Sequence, residues 1–103
     1  MTMTPLKSQP FSVRQLDLNA RYLSIISPDF DFDSFDSVAL QLLKTLDATV
    51  IEKECSADLH IWLVDFEGCR LLLKGEHYSS TLWLEAMSED DLDTLAFVAG
   101  LLN

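Results

Sequence analysis

Apolar residues recur along this chain with two different periods, and the changes of period mark its elements. Three runs of period two crowd into Leu59 to Ala86, LHIWLVDFEGCRLLLKGEHYSSTLWLEA. Leu59, Ile61 and Leu63 alternate with His60, Trp62 and Val64. After Gly68, Leu71 and Leu73 alternate with Arg70, Leu72 and Lys74, and after HYSS, Leu82, Leu84 and Ala86 alternate with Thr81, Trp83 and Glu85. Such alternation belongs to half-buried strands, and short turns between the runs predict an antiparallel meander.

The remainder of the chain fits around it. Phe11 to Asp17 and Arg21 to Ser27 have strand character, with Leu18-Asn19-Ala20 turning between them and Pro28 ending the second, because proline cannot donate to a ladder. From Phe35 the period becomes helical: Phe35, Val38, Ala39, Leu42, Leu43 and Leu46 form a stripe, predicting an amphipathic helix to about Asp47. Thr49 to Cys55 is β-branched at its start and charged towards its end, as edge strands often are, and Ser56-Ala57-Asp58 turns into the meander. Ser88 opens a capping box with Asp91, and a second helix follows to Leu102. Its stripe of Leu92, Leu95, Ala96, Ala99 and Leu102 is joined by Phe97, Val98 and Leu101 on its other sides. A helix apolar nearly all round has to bury more than one side, either by wedging between the sheet and the first helix or by meeting another protomer.

The prediction is an α+β, two-layer fold. A mainly antiparallel sheet of about five or six strands carries two helices packed on one face, in the order β-β-α-β-β-β-β-α. Residues 1–10, MTMTPLKSQP, lack periodicity and read as a disordered tail, leaving 11–103 as a single α+β domain.

Register decides which side chains share a face. At Asp65-Phe66-Glu67-Gly68-Cys69 a two-residue turn forces Glu67 into positive φ, which suits Asn or Gly better, whereas a three-residue loop gives only Gly68 that conformation. The three-residue loop is the expectation. It sets Leu63 against Leu71 and makes an aliphatic floor of Leu59, Ile61, Leu63, Leu71, Leu73, Leu82 and Leu84. His60, Trp62, Val64, Arg70, Leu72, Lys74, Trp83 and Glu85 then share the opposite, mixed face. Tryptophans ringed by charge, arginine included, are what protein interfaces enrich, so all of these but Val64 are the candidate interface. The competing expectation is that the N-terminal strands fold over this face as a second core layer.

Composition narrows the functional classes. There are 17 acidic and 7 basic residues, for a net charge of −10. That balance excludes nucleic acid as a partner, because phosphate binding needs clustered Lys and Arg. Asp29, Asp31, Asp33 and Asp36, with Glu89, Asp90, Asp91 and Asp93, cluster where helices are predicted to begin, and the helix dipole favours acids there. No run is long enough to span a membrane and the N-terminus lacks a signal-peptide pattern, so the expected location is cytoplasmic. Two cysteines, Cys55 and Cys69, are too few for a secreted disulfide framework and read as reduced, mostly buried small hydrophobes.

No catalytic or cofactor motif emerges. DFDFDS carries Asp at the first, third and fifth positions of a calcium loop, but Ser34 and Leu40 stand where such a loop needs Gly and a bidentate Glu. Cys55, His60, Cys69 and His77 have the residue types of a zinc site without its close pairs, and Cys69 and His60 are expected on opposite faces. Cys69, His77 and Glu76 could be nominated as a nucleophilic set, but no elbow or helix N-terminus presents the thiol, and Gly68, Gly75 and Gly100 stand alone. No cofactor or metal is expected.

The run WLVDFEGCRLLLKGEHYSSTLWLEA, followed by SEDDLDTLAFVAGLL, resembles a family of short, acidic, uncharacterised bacterial proteins described as a domain of unknown function. The resemblance spans Leu59 to Leu102 and implies a one-domain cytoplasmic protein without supplying an activity or site residues. The functional expectation is a non-enzymatic interaction or regulatory module, with a protein partner or a homodimer formed through the Trp62/Trp83 face or the C-terminal helix. The rivals are a small enzyme or ligand binder using a pocket between helices and sheet, with His60 or His77 polar, and an acidic mimic that binds a basic protein.

Overall fold

The structure, a computed structural model, describes residues 10–102; the tail predicted over 1–10 lies outside them apart from Pro10. The strands are β1 (Ser12–Asp17), β2 (Tyr22–Ile26), β3 (Thr49–Ser56), β4 (Leu59–Phe66), β5 (Cys69–Glu76) and β6 (Thr81–Ala86). The helices are α1 (Phe35–Leu46), between β2 and β3, and α2 (Leu92–Leu102), entered from β6 through a 3₁₀ turn at Glu89–Asp91. The fold is therefore α+β with the predicted order β-β-α-β-β-β-β-α. One six-stranded antiparallel sheet runs in the order β1-β2-β6-β5-β4-β3. β1 and β2 extend the sheet beside β6, so they do not fold over its face.

The turn between β4 and β5 departs from the expectation. Phe66 pairs with Cys69, so Glu67 and Gly68 form a two-residue turn with φ of 51° and 87°. Positive φ at both positions is the type I′ conformation, whose twist matches that of the flanking strands. Holding a non-glycine residue there costs about 1–2 kcal/mol at Glu67, and the Asp65 carboxylate supports the turn by accepting the Gly68 N–H at 2.9 Å. In return His60, Trp62, Val64 and Phe66 all turn to the core, while Leu59, Ile61, Leu63 and Asp65 face away. Burying one large apolar side chain stabilises by about 1.5–3 kcal/mol, so Trp62, Val64 and Phe66 together outweigh the strained glutamate.

Both helices pack on this core face, α1 by its predicted stripe and α2 by a stripe that takes in Val98 and leaves Ala96 exposed. Phe35, Val38, Ala39, Leu42, Leu43 and Leu46 of α1 and Leu95, Val98, Ala99 and Leu102 of α2 join Trp62, Leu71, Leu73, Leu82 and Leu84 in one cluster. α1 lies towards β3, and α2 lies over β1, β2 and β6. α2 does not wedge under the first helix: Phe97 and Leu101 remain exposed, Phe97 meeting the edge of the core at Phe66, with ring centroids 6.0 Å apart. The helix starts also differ in detail from simple capping. Asp31 and Ser34 bond reciprocally, each side chain accepting the other's N–H at 2.8 and 2.9 Å. The Ser88 hydroxyl donates to the Asp91 carboxylate at 3.2 Å instead of accepting a backbone N–H.

Gly75 is set by close approach. A Cβ there would lie 2.1 Å from the Phe35 ring, which is why the first aromatic of α1 can lie flat on the sheet. We expect Gly75→Ala to lower stability by about 1–3 kcal/mol through overpacking. Gly100→Ala, in α2 with open space around the new methyl, should raise it by about 0.8–1 kcal/mol. Urea unfolding of the two variants measures both.

Candidate functional site

The seven residues expected on one mixed face are divided by the β4 register. Arg70, Leu72, Lys74, Trp83 and Glu85 do share the face turned away from the helices, Arg70 exposed and the others half-buried. His60 and Trp62 lie on the core face, 5% and 1% exposed. The reason is parity: a one-residue change of register moves every side chain of a strand to the other side. Ile61 and Leu63, expected in the floor, take the places beside Leu72 on the open face.

On that open face Trp83 is held rigidly. Its indole N–H donates to Glu85 Oε2 at 2.8 Å, and the same carboxylate oxygen lies 3.0 Å from Lys74 Nζ. With its polar edge satisfied, the ring presents an apolar plane. Its cross-strand neighbour on β2 is Ser24, which is buried. To one side Gln15, Tyr22, Ser24, Thr81 and Trp83 line a shallow depression of about 270 Å³. To the other, Glu52, Glu54, Ile61, Leu63, Leu72 and Met87 line one of about 180 Å³. Glu52, Glu54, Ile61, Leu63, Tyr22 and Met87 were absent from the sequence-based set. Asp65 was the available signal, because it shares the parity of Leu59, Ile61 and Leu63 and marks that side as the wet one.

The core side carries a second feature. Phe35 stacks on His60 with centroids 4.3 Å apart and an interplanar angle of 11°, and meets Trp62 edge-on at 5.4 Å. Lys53 Nζ sits 4.4 Å over the Trp62 ring and 3.5 Å from Asp36 Oδ2. Phe32, Asp33, Asp36, Lys53, Glu54, Cys55, His60 and Trp62 line a cleft of about 390 Å³ at the sheet edge. His60 Nε2 and His77 Nδ1 are buried without a hydrogen-bond partner, the two rings 6.5 Å apart. Among the described residues no three His, Cys, Asp or Glu side chains gather as a metal-binding group.

The two cysteines are free, but Cys55 is exposed on β3, correcting its expected burial. Cys69 and His60 share the core face, contrary to expectation, yet sit at opposite ends of the hairpin: Cys69 pairs with Phe66 and His60 with Gly75. Burial pushes the Cys69 thiol up, and it donates to Asp91 Oδ1 at 3.3 Å, whose charge raises it further against a lowering contact from Thr94. A thiol held protonated in this way is a poor nucleophile.

Two measurements test these placements. Trp62→Ala should cost about 3–5 kcal/mol as a core truncation, whereas Trp83→Ala should leave the urea midpoint close to wild type. Burial lowers the His60 pKa from the ordinary 6.5, and His77 lowers it further against an opposing pull from Asp36. The unfolded chain therefore takes up this proton first. Stability from neutral His60 is complete above pH 6.5 and is lost as the pH falls from there towards the lower folded value. Urea midpoints should decline through that window, with a shallower slope in His60→Leu; an unchanged slope would assign the titration to another group.

Residues 11–103 match the family model described as a protein of unknown function, DUF3630. No curated protein and no solved structure matches the chain. No described helix is long and apolar enough to cross a membrane. The match spans almost the whole chain, from Phe11 in the core to the C-terminus, and the chain belongs to this family of proteins of unknown function.

Proposed function

We propose that the protein is a non-enzymatic, cytoplasmic interaction module that docks a protein partner on its open sheet face. The observation that supports this is the apolar band of Ile61, Leu63, Leu72 and Trp83 on the face that neither helix covers. A sheet face given over to solvent alternates polar residues outward; here its centre is aliphatic and aromatic. Trp83, oriented by Glu85 and paired across the strands with Lys74, has the character of an interface anchor, since rigid aromatics lose little freedom on binding.

A second reading comes from the His60 cleft. A buried imidazole nitrogen without a partner costs about 1–3 kcal/mol, and one that lines a cleft with Cys55 and Asp36 could recover that cost by bonding a small polar ligand. This supports the ligand-binding alternative, in a pocket between helix and sheet.

The two readings separate with a tagged protein used to retain partners from the cell that makes it. Leu72→Asp, which keeps a native circular dichroism spectrum because it is not in the core, should lose what the wild type retains. Cys55→Tyr, which fills the cleft, should keep it. Retention by Leu72→Asp would overturn the docking face, and loss only in Cys55→Tyr would put the cleft in its place.

A further inference from the structure

We propose that the depression bordered by Glu52 and Glu54 receives a basic amphipathic helix of another protein, a reading that rests on the open face being a docking surface. The floor of this depression is Ile61, Leu63, Leu72 and Met87, and its rim is the glutamate pair. The two glutamates stand on the same side of β3, two residues apart, with Cα atoms roughly 7 Å from one another.

What distinguishes this pair is that the other acids of the face already have work within the chain. Asp17 accepts the Ala20 N–H at 3.0 Å, Asp65 the Gly68 N–H at 2.9 Å and Glu76 the Ser79 N–H at 3.1 Å, each closing a turn. Glu85 holds Trp83 and Lys74. Among the described residues, Glu52 and Glu54 have neither an ion-pair nor a side-chain hydrogen-bond partner. Charges on an edge strand also discourage edge pairing, but lysines would serve that purpose equally. Two like charges beside an apolar groove select for cations.

Charge also decides against a second copy as the occupant. Acids on this face far outnumber Arg70 and Lys74, and Lys74 is already bound to Glu85, so face-to-face association would bring unpaired carboxylates together. A helix suits the surface because the apolar band crosses the strands, from Leu63 on β4 to Leu72 on β5, and the apolar stripe of an amphipathic helix is a band of the same kind. The rim carboxylates would then steer the partner and make its binding salt-dependent.

The test titrates wild-type protein with three synthetic helical peptides that share one leucine stripe and carry Lys, Gln or Glu on the polar face, following the indole N–H resonance of Trp83. The Lys peptide should bind best, shift that resonance and weaken as salt is raised. Glu52→Gln with Glu54→Gln should weaken it about fivefold, the effect of losing two exposed ion pairs. Asp90→Asn with Asp93→Asn removes equal charge near the start of α2 and should leave binding unchanged. Equal affinity for the Lys and Gln peptides, or undiminished binding by the Glu52/Glu54 variant, would overturn the basic partner while leaving the docking face intact. Failure of all three peptides would overturn it as well. If that failure came with a dimer that the Glu52/Glu54 variant tightens, the occupant would be a second copy; without self-association, the docking face would fall too.

Discussion

A two-residue turn sets the register of the central hairpin, and the sides of the sheet follow from it. Glu67 and Gly68 both occupy positive φ, so Phe66 is drawn into the strand and paired with Cys69. From that pair the parity of β4 is settled residue by residue, back to His60 opposite Gly75. Strain confined to one exposed glutamate is small beside the burial of Trp62, Val64 and Phe66. Once those side chains occupy the helix side, the smaller aliphatics of β4 have only the open side left.

The aromatic seal at the start of α1 depends on this register. Phe35 lies in the space left by the missing side chain of Gly75, flat on His60 and edge-on to Trp62. Phe30 packs on Phe35 from the preceding loop, and the Ser80 hydroxyl both donates to the Phe30 carbonyl and receives its N–H. Helix start, loop and the β5–β6 turn are thus joined around one stacked imidazole. The same packing explains why the His60 pKa is lowered, and why the polarity of the site is concentrated at its rim, in Asp36 and Lys53.

The open face is organised differently, by charge. Glu85 aligns Trp83, the turn acids are occupied by backbone N–H groups, and Glu52 and Glu54 remain beside the groove. Several of the 17 acids consequently have local employment. Asp31, lowered by its bonds from Ser34, and Glu76, lowered by Ser79, are examples of carboxylates fixed by short-range hydrogen bonds. Only a small part of the acidity is left to face outward at the apolar band.

Periodicity along the chain by itself determined the elements, their order and the antiparallel meander, because period two and period 3.6 are local properties that need no partner. It also placed Leu71, Leu73, Leu82 and Leu84 on one side, since on β5 and β6 the opposite parity carries Arg70, Lys74, Thr81 and Glu85 beside Leu72 and Trp83. On β4 both parities are apolar, and Asp65 alone marked Leu59-Ile61-Leu63, not His60-Trp62-Val64, as the wet side. The turn preference of Glu67 pointed to the wrong choice, because intrinsic φ preference is worth about 1–2 kcal/mol and the packing it opposed is worth several times more. Only the tertiary structure decided that Trp62 belongs to the core and Trp83 to the surface. The physical reason is that burial is summed over all the contacts of the folded chain, whereas a turn weighs only the residues within it.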